Sequence, residues 1–122
     1  MTAENDASNE SRNSLVFHGF GGTGEQVAGV FRSALNAAAA LPGTPIEIVI
    51  QGKAVAALTV GGGLADPAND VLQAGIAVLA CENSMRSAAI ERENLLPRVG
   101  TVPSAVVHLA ERQWANWAYV RL

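Results

Sequence analysis

The chain has 122 residues, 49% of them hydrophobic, and a formal net charge of −3. That is one domain with enough apolar material for a core, and an acidic balance without a basic cluster argues against a nucleic-acid surface. The single cysteine excludes an internal disulfide, no Cys/His pattern has zinc spacing, and no apolar run is long enough to span a bilayer.

No basic n-region followed by an apolar stretch opens the sequence, so no signal peptide is expected. A reduced cytoplasmic setting fits the lone cysteine, and neither a metal nor a cofactor is expected. Residues 1–13 are polar, with almost nothing to bury, and read as a disordered tail ahead of a single domain over 14–122.

Residues 14–18 read as the first strand, with Leu15, Val16 and Phe17 buried. Gly19-Phe20-Gly21-Gly22-Thr23-Gly24 follows and matches G-x-G-x-x-G between a strand and a helix. Glycines let a backbone approach a phosphate, and a helix N-terminus attracts it. The dinucleotide fingerprint also needs a carboxylate at the end of the second strand to hold a ribose. That end reads Ile48-Val49-Ile50-Gln51-Gly52, and Glu47 comes too early. The run is therefore either a flexible turn or an anion site at Gly21 and Gly22.

Thr23 and Gln26 form a capping-box pair. The helix they open covers 24–40, with an apolar face of Val27, Val30, Phe31, Ala34, Leu35 and Ala38. Residues 46–50 form the second strand. Residues 53–60 fit a short helix better than an extra strand. Gly61-Gly62-Gly63 reads as a mobile loop able to border a pocket. Asp66 as N-cap and Pro67 at the first helical position start the next helix, which Gly75 ends.

Ile76 to Ala80 is a buried third strand. Cys81 stands at its end, and Asn83 and Ser84 are good N-caps for a helix through Met85, Ala88, Ala89 and Ile90. A cysteine between a strand's C-terminal end and a helix start lies on the edge where open α/β sheets bind ligands. Helical N–H groups there favour thiolate. The other reading of Cys81 is a small buried hydrophobe. His18 ends the first strand on the same edge and is a weaker candidate neighbour of the thiol.

Glu93-Asn94-Leu95-Leu96-Pro97 reads as a loop or single turn, and residues 99–102 as a fourth strand. Pro103 starts a helix whose inner face is expected to be Val106, Val107, Ala110 and Trp114, with His108 and Arg112 on its other side. Residues 118–122 are the last strand. Strands alternating with helices imply an α/β fold, a mostly parallel sheet of about five strands covered on both faces.

The segments Gly75-Ile-Ala-Val-Leu-Ala-Cys81-Glu-Asn83-Ser-Met85, Glu93-Asn94-Leu95-Leu96-Pro97, Val102-Pro103-Ser104-Ala105-Val106 and Trp117-Ala118-Tyr119-Val120-Arg121 resemble the DsrE/DsrF family of small sulfur-relay proteins. Leu15-Val16-Phe17-His18 and Ile46-Glu47-Ile48-Val49-Ile50-Gln51-Gly52 are similar to that family's first two strands. The resemblance implies a three-layer α/β/α fold, trimers or hexamers, and a cysteine that carries sulfur as a persulfide, matching Cys81. The glycine run 19–24 departs from the family pattern.

Two functions follow as expectations. The first is a sulfur carrier or sulfurtransferase-like protein with Cys81 as nucleophile. Asn83, Ser84 and nearby N–H groups would steady the thiolate or a bound anion, and sulfur donor and acceptor proteins would be its partners. The second is a non-catalytic module that binds a nucleotide or anion through the glycine run.

Overall fold

The computed structural model describes residues 13–122, so the expected tail lies outside the described residues except for Asn13. The chain alternates β1 (Leu15–Phe20), α1 (Gly24–Ala40), β2 (Ile46–Gln51), a 3-10 helix (Gly52–Leu58), α2 (Ala65–Gln73), β3 (Ala77–Cys81), α3 (Glu82–Ser87), a 3-10 turn (Arg92–Asn94), β4 (Gly100–Val102), α4 (Ala105–Trp114) and β5 (Ala118–Arg121). All four strand pairings are parallel, in the order β4-β3-β2-β1-β5. The α/β expectation holds, with five strands and helices on both sides. No helix among the described residues is long and apolar enough to cross a membrane.

The strand order decides which face each helix covers. From β1 to β4 the chain steps outward in one direction, and its three crossovers lie on one face. The step from β4 to β5 reverses direction, and a right-handed crossover in that sense lands on the opposite face. The first face therefore packs Phe17, Ile48, Ile50, Val78 and Ala80 against Val27, Val30 and Phe31 of α1, Val55 and Leu58 of the 3-10 helix, Val71 of α2 and Met85 of α3. The second face has α4 alone, over a small cluster of Val16, Val49, Cys81, Val102, Ala105 and Leu109.

Local signals set several boundaries as expected. Thr23 caps α1, its hydroxyl accepting from the Gln26 N–H at 3.1 Å. Gly75 follows α2 at φ +85°, a left-handed conformation that suits glycine. Over residues 53–60 the short-helix reading holds. The 3-10 helix ends at Leu58, and Thr59 then bridges Leu95 in antiparallel fashion. Gly62 is tucked against the end of the 3-10 helix, its N–H donating to the Thr59 carbonyl at 2.9 Å.

Other expectations are corrected. Helix α2 starts two residues earlier than Asp66 and Pro67 suggested, with Leu64 as N-cap. The N-cap of α3 is Cys81 itself rather than Asn83 or Ser84, and α3 stops at Ser87, short of Ala88, Ala89 and Ile90.

The largest correction is the face of α4. Val106, Val107 and Trp114 point outward, at 65%, 54% and 79% exposure, while Ala105 and Leu109 are buried. His108 and Arg112, expected on the outer side, turn toward the sheet. His108 Nε2 lies 2.8 Å from Glu47 Oε1, and Arg112 grips the same carboxylate with Nε at 3.0 Å and Nη2 at 2.6 Å. The physical reason is Glu47, which β2 presents to this face and leaves buried. An unpaired buried carboxylate costs more than exposing two valines and a tryptophan. The helix rotates to meet the charge. Arg112 also stacks over Trp117, 4.5 Å from the ring centroid.

Candidate functional site

Cys81 closes β3 opposite Val102 of β4, on the face that α4 covers. The short connection after β4 brings Ser104 and α4 back over the end of β3. Ser104 caps α4 by accepting from the Val107 N–H at 3.3 Å. The first N–H of that helix, from Ala105, has no partner within the helix. It points at the thiol, with Ala105 N to Cys81 Sγ at 3.4 Å.

Three further groups favour the thiolate. The Ser84 hydroxyl and the N–H groups of Ser84 and Asn83, from the first turn of α3, act on the thiol together with Ala105. Cys81 is only 2% exposed. Burial pushes its pKa up, since a thiolate loses solvation there. The Ser84 hydroxyl, then the N–H groups of Ser84, Ala105 and Asn83, outweigh burial and hold the thiol below its ordinary value.

Ser84 is fixed from its other side. The Gly52 N–H donates to Ser84 Oγ at 2.8 Å, which leaves the hydroxyl proton for the sulfur. Gly52 is required for this. Its φ is +77°, and a Cβ there would meet the Phe20 ring at 2.5 Å. The starts of α3 and α4 thus act on one sulfur atom, and the start of the 3-10 helix holds the Ser84 hydroxyl.

Glu82, next in sequence, does not fold over the thiol. Its carboxylate accepts from the Thr101 hydroxyl at 2.7 Å and pairs with Arg92. These two partners, Thr101 first, lower its own pKa. Asn83 is exposed and its side chain bonds Arg86, so it serves the thiol through its N–H rather than its amide.

His18 lies on the same face, but β2 stands between β1 and β3. Its ring is occupied. Nε2 lies 2.8 Å from Gln51 Oε1 and Nδ1 2.6 Å from the Tyr119 hydroxyl. With that oxygen assigned as the acceptor, Nε2 carries the proton and Tyr119 donates to Nδ1. Burial lowers the His18 pKa, the Gln51 bond opposes that, and Arg121 adds to the lowering. The ring of Phe20 stacks on His18, 6.1 Å between centroids. His18 therefore builds a neutral polar cluster near β5, apart from the groups that act on Cys81.

The glycine run is filled from within. The Gly22 N–H donates to Gln26 Oε1 at 3.1 Å, and that oxygen lies 2.1 Å from where a Gly21 Cβ would stand. The space bounded by Gly19, Gly21, Gln26 and Leu122 is about 10 Å³. That is the size of a water, not of a phosphate. The capping glutamine has taken the position an anion would use.

Sequence reasoning singled out Cys81 and Ser84 but missed Ala105 and Gly52. The sequence put a helix start at Pro103, two residues before α4 begins at Ala105. That it sits beside Cys81 depended on β4 pairing with β3, which no local pattern states.

No family model and no curated protein matches this chain. Two solved structures share its fold along most of its length. The ychN protein from E. coli superposes with a TM-score of 0.78 at 14% identity, over 90% of this chain and 99% of its own, a likeness of fold alone. MTH1491 from Methanobacterium thermoautotrophicum, a protein of unknown function, superposes with a TM-score of 0.84 at 27% identity, again over 90% of this chain and 99% of its own. The α/β architecture that carries Cys81 is thus similar to that of two solved proteins across nearly their whole length.

Proposed function

We propose that this protein is a sulfur carrier of the DsrE/DsrF kind, working in a reducing cytoplasm and holding sulfur as a persulfide on Cys81. The observation that carries this reading is the set of donors on one sulfur atom: a hydroxyl and three N–H groups that lower the thiol's pKa in spite of burial. A thiol kept only for packing gains nothing from them. The fold likeness to MTH1491 and ychN supports the architecture that the family resemblance implies.

The chemistry asks little of the protein. The Cys81 thiolate attacks the terminal sulfur of a donor persulfide, R–S–SH. A bond forms from Sγ to that sulfur, the donor's S–S bond breaks, and its electron pair leaves on R–S⁻. The product is a persulfide on Cys81, with the proton still on the terminal sulfur. Ser84 and the N–H groups stabilise the anion before and after transfer. At 2% exposure the thiol reacts when a wall of its enclosure opens.

The same reading includes a homo-oligomer, trimeric or hexameric as the resemblance implies. The outer side of α4 supports it, since Val106, Val107 and Trp114 leave an apolar surface that a second copy would cover.

Alkylation of the folded protein tests the thiol. Iodoacetamide should modify Cys81 with an apparent pKa below that of free cysteine. Polysulfide should add the mass of one sulfur atom, and Cys81→Ser should abolish the gain. Alkylation only after denaturation would refute the carrier reading.

A further inference from the structure

A cleft of about 330 Å³ opens between the start of the 3-10 helix and α3, lined by Gly52, Lys53, Ser84, Ser87 and Ala88. That volume is in the range of small-ligand sites. Its wall holds one cation, two hydroxyls and no carboxylate. Lys53 is exposed, and no ion pair engages it among the described residues. On a chain of net charge −3 this is a local positive site. Ser84 belongs to the cleft wall and its hydroxyl also acts on the Cys81 thiol, so the cleft adjoins the surroundings of the sulfur.

We propose that this cleft binds a small organic thiosulfonate, R–SO₂–S⁻, with its charged head on Lys53 and Ser87 and its outer sulfur toward Ser84 and Cys81. The assignment of a sulfur donor rests on the carrier reading of Cys81. The assignment of a monoanion with an apolar body rests on the cleft alone: one uncompensated cation, two hydroxyls, and the remaining wall of Ala88 and Gly52. Transfer joins two anions, and Lys53 offsets their repulsion. The Cys81 thiolate attacks the outer sulfur, and an S–S bond forms. The bond from that sulfur to the sulfonyl sulfur breaks, and its electron pair leaves on the sulfinate, R–SO₂⁻. The cysteine sulfur is oxidised to the persulfide level as the sulfonyl group is reduced to sulfinate. Rotation of Ser84 about χ1 opens the path between cleft and thiol.

Benzenesulfonate and benzenethiosulfonate separate binding from transfer. Benzenesulfonate has no sulfur to give. Titrated at millimolar concentrations, it should shift the amide resonances of Gly52, Lys53 and Ser87 saturably, and equally in Cys81→Ser. Lys53→Met keeps the aliphatic stem at an exposed position and should weaken binding about tenfold, the loss of one charge-assisted contact. Benzenethiosulfonate should add one sulfur to Cys81, more slowly in Lys53→Met. No saturable shift, or wild-type binding by Lys53→Met, overturns the site. Sulfur uptake from polysulfide without sulfonate binding overturns the site and leaves the carrier reading standing. Sulfonate binding with no sulfur uptake from either reagent overturns the carrier reading and the transfer step, and leaves the anion site standing.

Discussion

The two faces of the sheet are held by different means. The first lies under α1, α2, α3 and the 3-10 helix, and its buried cluster is apolar throughout. The second lies under α4 alone, with a small apolar cluster and a charged tie from Glu47 to His108 and Arg112. The thick face supplies stability, because burial scales with apolar area. The thin face holds the buried polar groups: Cys81, His18 and Glu47 all project from it. Polar side chains sit where a single helix covers the sheet, Cys81 met by N–H groups of helix starts and Glu47 and His18 by side chains.

Truncation on each face breaks the comparison most directly. Phe31→Ala removes a fully buried ring from the thick face and should cost about 3–5 kcal/mol in denaturant unfolding. Leu109→Ala on the thin face should cost about 2–3 kcal/mol, near the low end for such truncations, because a lone helix can settle into the space. Equal losses would show that α4 is as firmly packed as α1.

The charged tie comes next. Glu47→Gln should destabilise by about 2 kcal/mol at neutral pH. That is less than the cost of breaking a fully buried pair, since Arg112 is 35% exposed. Burial raises the Glu47 pKa, but the bonds from Arg112 and His108 outweigh it and the net shift is downward. A depressed carboxylate stabilises the fold above its unfolded pKa, and that contribution is lost as pH falls through the lower folded value. Wild type should therefore lose stability below about pH 4.3, and Glu47→Gln should lose less over that window. A parallel acid profile in both proteins would show that the tie contributes nothing.

His18 gives a smaller signal at milder pH. Its folded pKa is lowered, chiefly by burial, so the unfolded chain binds the proton first on acidification. Stability should begin to decline as pH drops below about 6.5, and His18→Gln should remove that early decline. A flat wild-type curve between neutral pH and the carboxylate range would contradict the neutral, buried ring.

The smallest stability effect belongs to the outer side of α4. Trp114→Ser should change monomer stability by no more than about 0.5 kcal/mol, since the ring is 79% exposed. Light scattering should show the same variant shifted toward monomer. A wild-type monomer at micromolar concentration would remove the proposed assembly.

The sequence by itself determined the elements and the fold class. Apolar runs marked β1, β2 and β3, and spacing marked the buried face of α1 at Val27, Val30, Phe31 and Ala34. The T-x-x-Q cap and Gly75 marked ends. These signals are local: a cap, a turn and a 3.6-residue period all act within a few residues. The same local chemistry placed Cys81 at the end of a strand and Ser84 just beyond it.

Tertiary structure decided what those elements meet. Hydropathy along α4 favours Val106, Val107 and Trp114 as its inner face, yet Glu47, some sixty residues earlier, turns the helix so that His108 and Arg112 face the sheet. The glycine run has the spacing of a phosphate loop, and the folded position of Gln26 fills it. Ala105 reaches Cys81 only because β4 pairs with β3 and starts α4 beside the strand end. At α4 and at Cys81 the deciding energy belongs to a buried group finding its partner. That partner is set by strand order and register, which no stretch of sequence read by itself contains.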